Sequence, residues 1–173
     1  MRPGSNPGSP ASKDNRISPN YLRVDVKIHL ARGAIVDYKH MTAPCGLDCF
    51  NCLMYLAGEN EELRGKISKN LDIPFERAVC KGCRGEAGKP DFLGWTGPCN
   101  VYRCIMKRNL DFCYQCSDFP CDNLHPYADR ASEVPHNTKV FNLCLMKKMG
   151  LESWAKTKAR DVKHTYFKGK FKL

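Results

Sequence analysis

Ten of the eleven cysteines lie between Cys45 and Cys121, in short-spaced groups. They read Cys45-Gly46-Leu47-Asp48-Cys49-Phe50-Asn51-Cys52, Cys80-Lys81-Gly82-Cys83, Cys99, Cys104, and Cys113-Tyr114-Gln115-Cys116-Ser117-Asp118-Phe119-Pro120-Cys121. Thiols set this close are either a disulfide framework or metal ligands, and the redox compartment decides which. The N-terminus, Met1-Arg2-Pro3-Gly4-Ser5-Asn6-Pro7-Gly8-Ser9-Pro10, has no apolar stretch like that of a secretory leader. The expectation is therefore a cytoplasmic protein, where thiols stay reduced and all ten cysteines serve as metal ligands.

Cys80-Lys81-Gly82-Cys83 is the most specific of these motifs. Glycine before the second cysteine permits a tight turn that aims both thiolates at one ion, with backbone N–H groups approaching the sulfurs. Cys113 and Cys116 repeat the spacing without the glycine. Each pair supplies two ligands and tetrahedral zinc needs four. Cys80 and Cys83 can close with Cys99 and Cys104, or the two pairs with each other, and spacing does not choose.

The Cys45-x3-Cys49-x2-Cys52 spacing is the one by which radical S-adenosylmethionine enzymes hold an iron-sulfur cluster. Asn51 stands where those enzymes place an aromatic residue, and no alternation of strands and helices follows. A three-cysteine start to a zinc site, or to an iron-sulfur cluster completed by a distant cysteine, is the better reading. His125 lies four residues beyond Cys121, on one face if that segment is helical, but is expected to face solvent. His29, His40, His136 and His164 lack ligand spacing and are expected at the surface, and Cys144 is expected as a core thiol. No histidine lies between Cys45 and Cys121, which disfavours a cysteine nucleophile, and no glycine-rich phosphate loop follows a strand. No catalytic residue is assigned.

The elements that must position these thiols are mostly helical. The pattern predicts a helix from Cys52 to Leu71 broken at Gly58, a short one over Phe75 to Val79, and a glycine- and proline-rich loop over 84–98 carrying Phe92 and Trp95. A helical turn over Asn100 to Lys107 follows, then one over Cys121 to Leu124 opened by Pro120. Asn137 is expected to cap a helix running to Met149, with Gly150 as its stop and Val140, Phe141, Cys144, Leu145 and Met149 as its packing stripe. A last helix from Leu151 to about Asp161 packs Leu151 and Trp154, and residues 162–173 form a basic tail.

Upstream, residues 1 to about 20 have too few apolar side chains to order. Leu22, Val24, Val26, Ile28 and Leu30 alternate with polar residues like a half-buried strand, with Ala34 to Tyr38 as its hairpin partner. Met41 is an alternative natural start, so no function rests on residues 1–40.

Formal net charge is +10, spread unevenly. Residues 1–40 carry seven Lys or Arg against three acids, residues 41–121 ten against ten, and residues 122–173 eleven against five. A divalent ion on four thiolates leaves a charge of about −2, so loading would make the middle acidic between basic flanks. Part of the basic flank then compensates the sites, and the rest is available to nucleic acid or an acidic protein. No apolar run reaches the roughly 18 residues of a membrane span.

Taken together, these motifs resemble a family of small cysteine-rich prokaryotic proteins known as a domain of unknown function. The resemblance runs from the opening Cys45-Gly46-Leu47-Asp48-Cys49, through Cys80-x-Gly82-Cys83 and Cys99-x4-Cys104, to the Phe112–Cys121 segment and Gly150-Leu151-Glu152-Ser153-Trp154. It covers about residues 42–160 and implies metal binding, most simply zinc, without a reaction. Some members end in a further Cys-Pro-x-Cys pair, where this chain has Tyr166-Phe167-Lys168-Gly169-Lys170.

The expected fold is a small metal-stabilised domain, mainly α with irregular cysteine-rich loops, over residues 41–161. Its expected function is a zinc-binding protein with structural thiolate sites, presenting a basic surface to a macromolecular partner. An iron-sulfur or thiol-redox protein is the alternative. A small-molecule metalloenzyme with a cleft around Phe92, Trp95 and Tyr102 is the third.

Overall fold

A computed structural model describes residues 36–129 and 131–170, and among them are seven α-helices and no strand. The helices are α1 (Leu53–Leu56), α2 (Glu61–Leu71), α3 (Gly82–Gly85), α4 (Asn100–Arg108), α5 (Lys139–Met149), α6 (Leu151–Thr157) and α7 (Ala159–Lys168), joined by single 3-10 turns. The expected first strand and the disordered start lie outside the described residues. Of the second strand, 36–38 lead into a turn.

Each long helix follows from local chemistry. Asn60 caps α2 by accepting from the Leu63 N–H at 2.9 Å, Glu61 and Glu62 oppose the helix dipole, and Leu63 and Ile67 share its buried face. Its end is Asp72, in the left-handed region at φ 50°. A cysteine caps α4: Cys99 Sγ accepts from the Tyr102 N–H at 3.4 Å. Val101 and Ile105 are its buried residues, four apart. Gly150, at φ +84°, turns the chain from α5 into α6.

Two apolar clusters result. The larger joins Phe50, Val101, Ile105, Phe112, Leu124, Leu143, Met146 and Trp154, and the smaller joins Leu53, Met54, Ala57, Leu63, Ile67 and Ala78. Trp154 is fully buried and meets Phe50 edge-on, with ring centroids 5.8 Å apart.

Several expectations are corrected. α5 buries Lys139, Asn142, Leu143 and Met146, a face rotated from the expected stripe, so Phe141 is 58% exposed and Cys144 faces solvent. Two polar residues displaced the apolar ones because both serve the first cysteine loop, as described below. Asn137 does not cap the helix; its side chain bonds the Tyr127 N–H and C=O instead, at 2.9 Å each. A 3-10 turn (Pro135–Thr138) leads into α5. The 84–98 loop holds the end of α3 and a turn at Asp91–Leu93. Residues beyond Asp161 continue as helix to Lys168 rather than as a tail, with Ala159 buried to anchor them. No helix among the described residues is long and apolar enough to cross a membrane.

Candidate functional site

The first cysteine loop is held from three sides. Gly46, at φ +90°, sits where a Cβ would come 2.8 Å from the Lys139 carbonyl oxygen and 2.9 Å from Leu143 Cγ, so only glycine lets the loop lie on α5. Asn142, 1% exposed, donates through Nδ2 to the Gly46 carbonyl at 2.9 Å and accepts from Trp154 Nε1–H at 3.2 Å. Arg84 donates to the Thr42 carbonyl at 3.2 Å and the Asp111 carbonyl at 2.6 Å while lying over the Phe112 ring. The Cys113 N–H donates to the Pro44 carbonyl at 3.0 Å, which sets the last cysteine segment beside the first.

Six cysteines gather on one side of this frame. The Cys80 N–H donates to the Met54 carbonyl at 2.9 Å, drawing Cys80 toward Cys52. Gly82 donates its N–H to Cys80 Sγ at 3.3 Å. The Cys83 N–H donates toward the Cys49 sulfur. Cys83 in turn bonds Cys99 sulfur to sulfur, supported by the Gly88 N–H to the Cys83 carbonyl at 2.7 Å and the Cys99 N–H to the Gly88 carbonyl at 2.9 Å. Cys45 lies within electrostatic reach of Cys99 and of Lys139. Lys139 is only 7% exposed, and its Nζ lies 3.2 Å from His136 Nε2.

Four cysteines gather on the other side. Cys104, Cys113, Cys116 and Cys121 line one cavity of about 20 Å³ with Ile105 and Leu124. Cys116 Sγ accepts from the Arg108 guanidinium at 3.1 Å and from the Asp118 N–H at 3.4 Å, and Asp118 also pairs with Arg108 at 2.6 Å. The α4 helix links the two gatherings, since Cys99 caps its start and Cys104 stands a little over one turn further on.

This partition matches neither closure weighed from spacing. Cys99 and Cys104 part to opposite groups, and Cys80-x-x-Cys83 stays apart from Cys113-x-x-Cys116. Among the described residues, no three His, Cys, Asp or Glu side chains converge closely enough as they stand to hold a metal ion.

Burial dominates the proton affinities. It pushes Cys49, Cys80 and Cys113 up to about 12, and raises Cys45 against the opposing pull of Lys139. Cys99 moves the other way, because the Cys83 thiol donates to it. Asp48, nearly fully buried beside Cys49, is raised by burial, opposed by Lys163 and by the 2.9 Å bond from Asn51 Nδ2. Burial, then the neighbouring Lys139, holds His136 down to about 4.

The remaining candidates fall away from the thiols or at their margin. Cys121 precedes a single 3-10 turn (Asp122–Leu124) rather than a helix, so it shares no helical face with His125, which is exposed as expected. His40 and His164 are exposed, His136 is half-buried against Lys139 rather than at the surface, and His29 lies outside the described residues. Phe92 packs on the smaller core, Trp95 is exposed, and Tyr102 covers Gly88. Arg84, Arg108, Lys139 and Asn142 carried no spacing signal, because their roles depend on contacts 8 to 96 residues away.

Residues 41–126 match the model of a family described as "Protein of unknown function (DUF3795)". No curated protein and no solved structure matches the chain.

Proposed function

Starting from residues 41–126 as a member of the DUF3795 family, whose description names no activity, we propose that this chain is a zinc-binding protein whose cysteine thiolates hold structural ions. The observation that carries this reading is the direction of the hydrogen bonds. The sulfurs of Cys49, Cys80, Cys99 and Cys116 accept backbone N–H groups, and Cys116 also accepts a guanidinium. N–H donors stabilise a thiolate over a thiol, and a buried thiolate in turn requires a cation. Lys139 supports the same reading, being a buried lysine beside Cys45 and Cys99 with no carboxylate in ion-pair distance among the described residues.

The donor set suits zinc or iron alike. Size favours zinc at the four-cysteine group: a cavity of about 20 Å³ admits one ion-sized guest, not an iron-sulfur cube. Holding that ion requires the four side chains to turn inward from where they stand. On binding, zinc would supply cross-linking of segments that carry little apolar periodicity, on the order of 10 kcal/mol of folding free energy.

The partner surface belongs to the same proposal. Lys147, Lys148, Lys158, Arg160 and Lys168 are exposed on α5, the junction of α6 with α7, and α7. Together they suit nucleic acid or an acidic protein.

Metal content per chain and the visible spectrum, measured on protein purified without oxygen, test the reading. Zinc without visible absorption supports it. Iron with sulfide and a broad visible band replaces it with the iron-sulfur alternative, and ten free thiols without metal refute both.

One observation favours a thiol-redox reading as well. Cys83 and Cys99 form a thiol donor and acceptor pair already in sulfur contact. Its oxidation would join the two sulfurs and pass two electrons and two protons to a disulfide partner. Reversible loss of two titratable thiols, abolished in Cys99→Ser, is the outcome that reading requires.

A further inference from the structure

Resting on that zinc reading, we propose that Cys45, Cys49, Cys52, Cys80, Cys83 and Cys99 form one site for two divalent ions. Cys49 and Cys83 are shared between the ions, so the full chain takes three ions rather than two.

The arrangement of neighbours carries this inference. Cys49 and Cys83 form the inner pair, joined by the Cys83 N–H donating toward the Cys49 sulfur. On one side Cys45 and Cys99 face them: Cys83 bonds Cys99 and lies within reach of Cys45. On the other side stand Cys52 and Cys80, both within reach of Cys49 and of each other. Gly82, at φ +80°, brings the Cys80 to Cys83 turn against Cys49, since a Cβ there would lie 3.8 Å from Cys49 Cβ.

Two tetrahedral ions need eight ligand positions, and six thiolates fill them when two sulfurs are counted twice. One ion takes Cys45, Cys99 and the inner pair, and the other takes Cys52, Cys80 and the inner pair. Both Cys-x-x-Cys motifs, Cys49 to Cys52 and Cys80 to Cys83, then bite the same ion, which is what that spacing does best.

A single ion on Cys45, Cys49, Cys83 and Cys99 would strand Cys52 and Cys80. The Cys80 sulfur already accepts the Gly82 N–H at 3.3 Å, the posture of a ligand. Charge agrees: two ions leave about −2 on six thiolates, and Lys139 stands beside Cys45 and Cys99 to offset part of it.

Native mass spectrometry of the full chain loaded with zinc reads the stoichiometry directly. Three ions per chain are expected, with Cys121→Ser losing one, Cys45→Ser losing one, and Cys49→Ser losing two. A mutation-free reading comes from cadmium-113 NMR of the cadmium-loaded chain. Three resonances are expected, two of them coupled through shared sulfur and the third uncoupled. Two ions per chain, or three resonances without coupling, would overturn the shared site while leaving the zinc reading intact. No bound ion at all would overturn both.

Discussion

Replacing Asn142 by alanine is the sharpest test of how the first cysteine loop is held. The side chain is 1% exposed and satisfies two groups at once: the Gly46 carbonyl at 2.9 Å and the Trp154 indole N–H at 3.2 Å. Alanine reaches neither, and both groups lie where water does not replace it. A buried polar group left without a partner costs roughly 1–3 kcal/mol, so the pair together costs about 2–6 kcal/mol. In urea, where a small domain changes by roughly 1–3 kcal/mol per molar, the midpoint should fall by at least about 1 M. The measurement is urea denaturation of the full chain at fixed metal load, followed by circular dichroism so that tryptophan variants remain readable. Trp154→Phe should cost less than Asn142→Ala on the polar side, because it leaves only Oδ1 unpaired, and the double variant should fall short of the sum. A midpoint for Asn142→Ala within about 0.3 M of the parent would refute the claim that this side chain anchors the loop.

Gly46→Ala should destabilise by about 1–3 kcal/mol, read as a lower Tm, since its Cβ meets the Lys139 carbonyl oxygen at 2.8 Å and φ is +90°. Arg108→Gln removes the donor 3.1 Å from Cys116 Sγ. It should speed zinc transfer to a chelator about tenfold from one site only, and unchanged transfer would dismiss that contact. In the metal-free chain, Cys49, Cys80 and Cys113 keep their protons to about 12 when folded, against 9.0 ordinarily. The unfolded chain therefore loses protons first, and stability should fall between pH 9 and 12; equal Tm values across that window would contradict the burial of these thiols. Neutralising Lys147, Lys148, Lys158, Arg160 and Lys168 together should reduce retention on nucleic acid and flatten its salt dependence, and unchanged retention removes that class of partner.

Much of the helical layout was readable because it rests on local chemistry. Gly58 and Gly150 break or stop helices where expected, and α2 and α4 start within a residue or two of their caps. The α5 face was not readable. Phe141 and Cys144 fit a stripe by hydropathy, but Lys139 and Asn142 hold the buried positions through partners near residue 46, which no periodicity records. Clustering of the cysteines was plain from spacing, whereas their partition was not. Sequence places Cys99 and Cys104 together; the geometry of α4 sends them apart, because five residues on a helix turn well past one full revolution. The continuation of helix to Lys168 was missed for a similar reason: Ala159, small and unremarkable in sequence, is the fully buried contact that fastens α7.

The Asn142 bridge also separates two boundaries that are easily confused. The family match stops at residue 126, yet the loop that opens the match is fastened by Gly46 lying on α5 and by a tryptophan on α6. Phe50, inside the match, has Trp154, outside it, as a ring neighbour. A chain cut after residue 126 would keep every cysteine that defines the motif and lose the wall against which the first of them is set. Heredity and mechanical support thus end at different places along this polypeptide: the matched segment carries the signature, and the three C-terminal helices serve as its buttress.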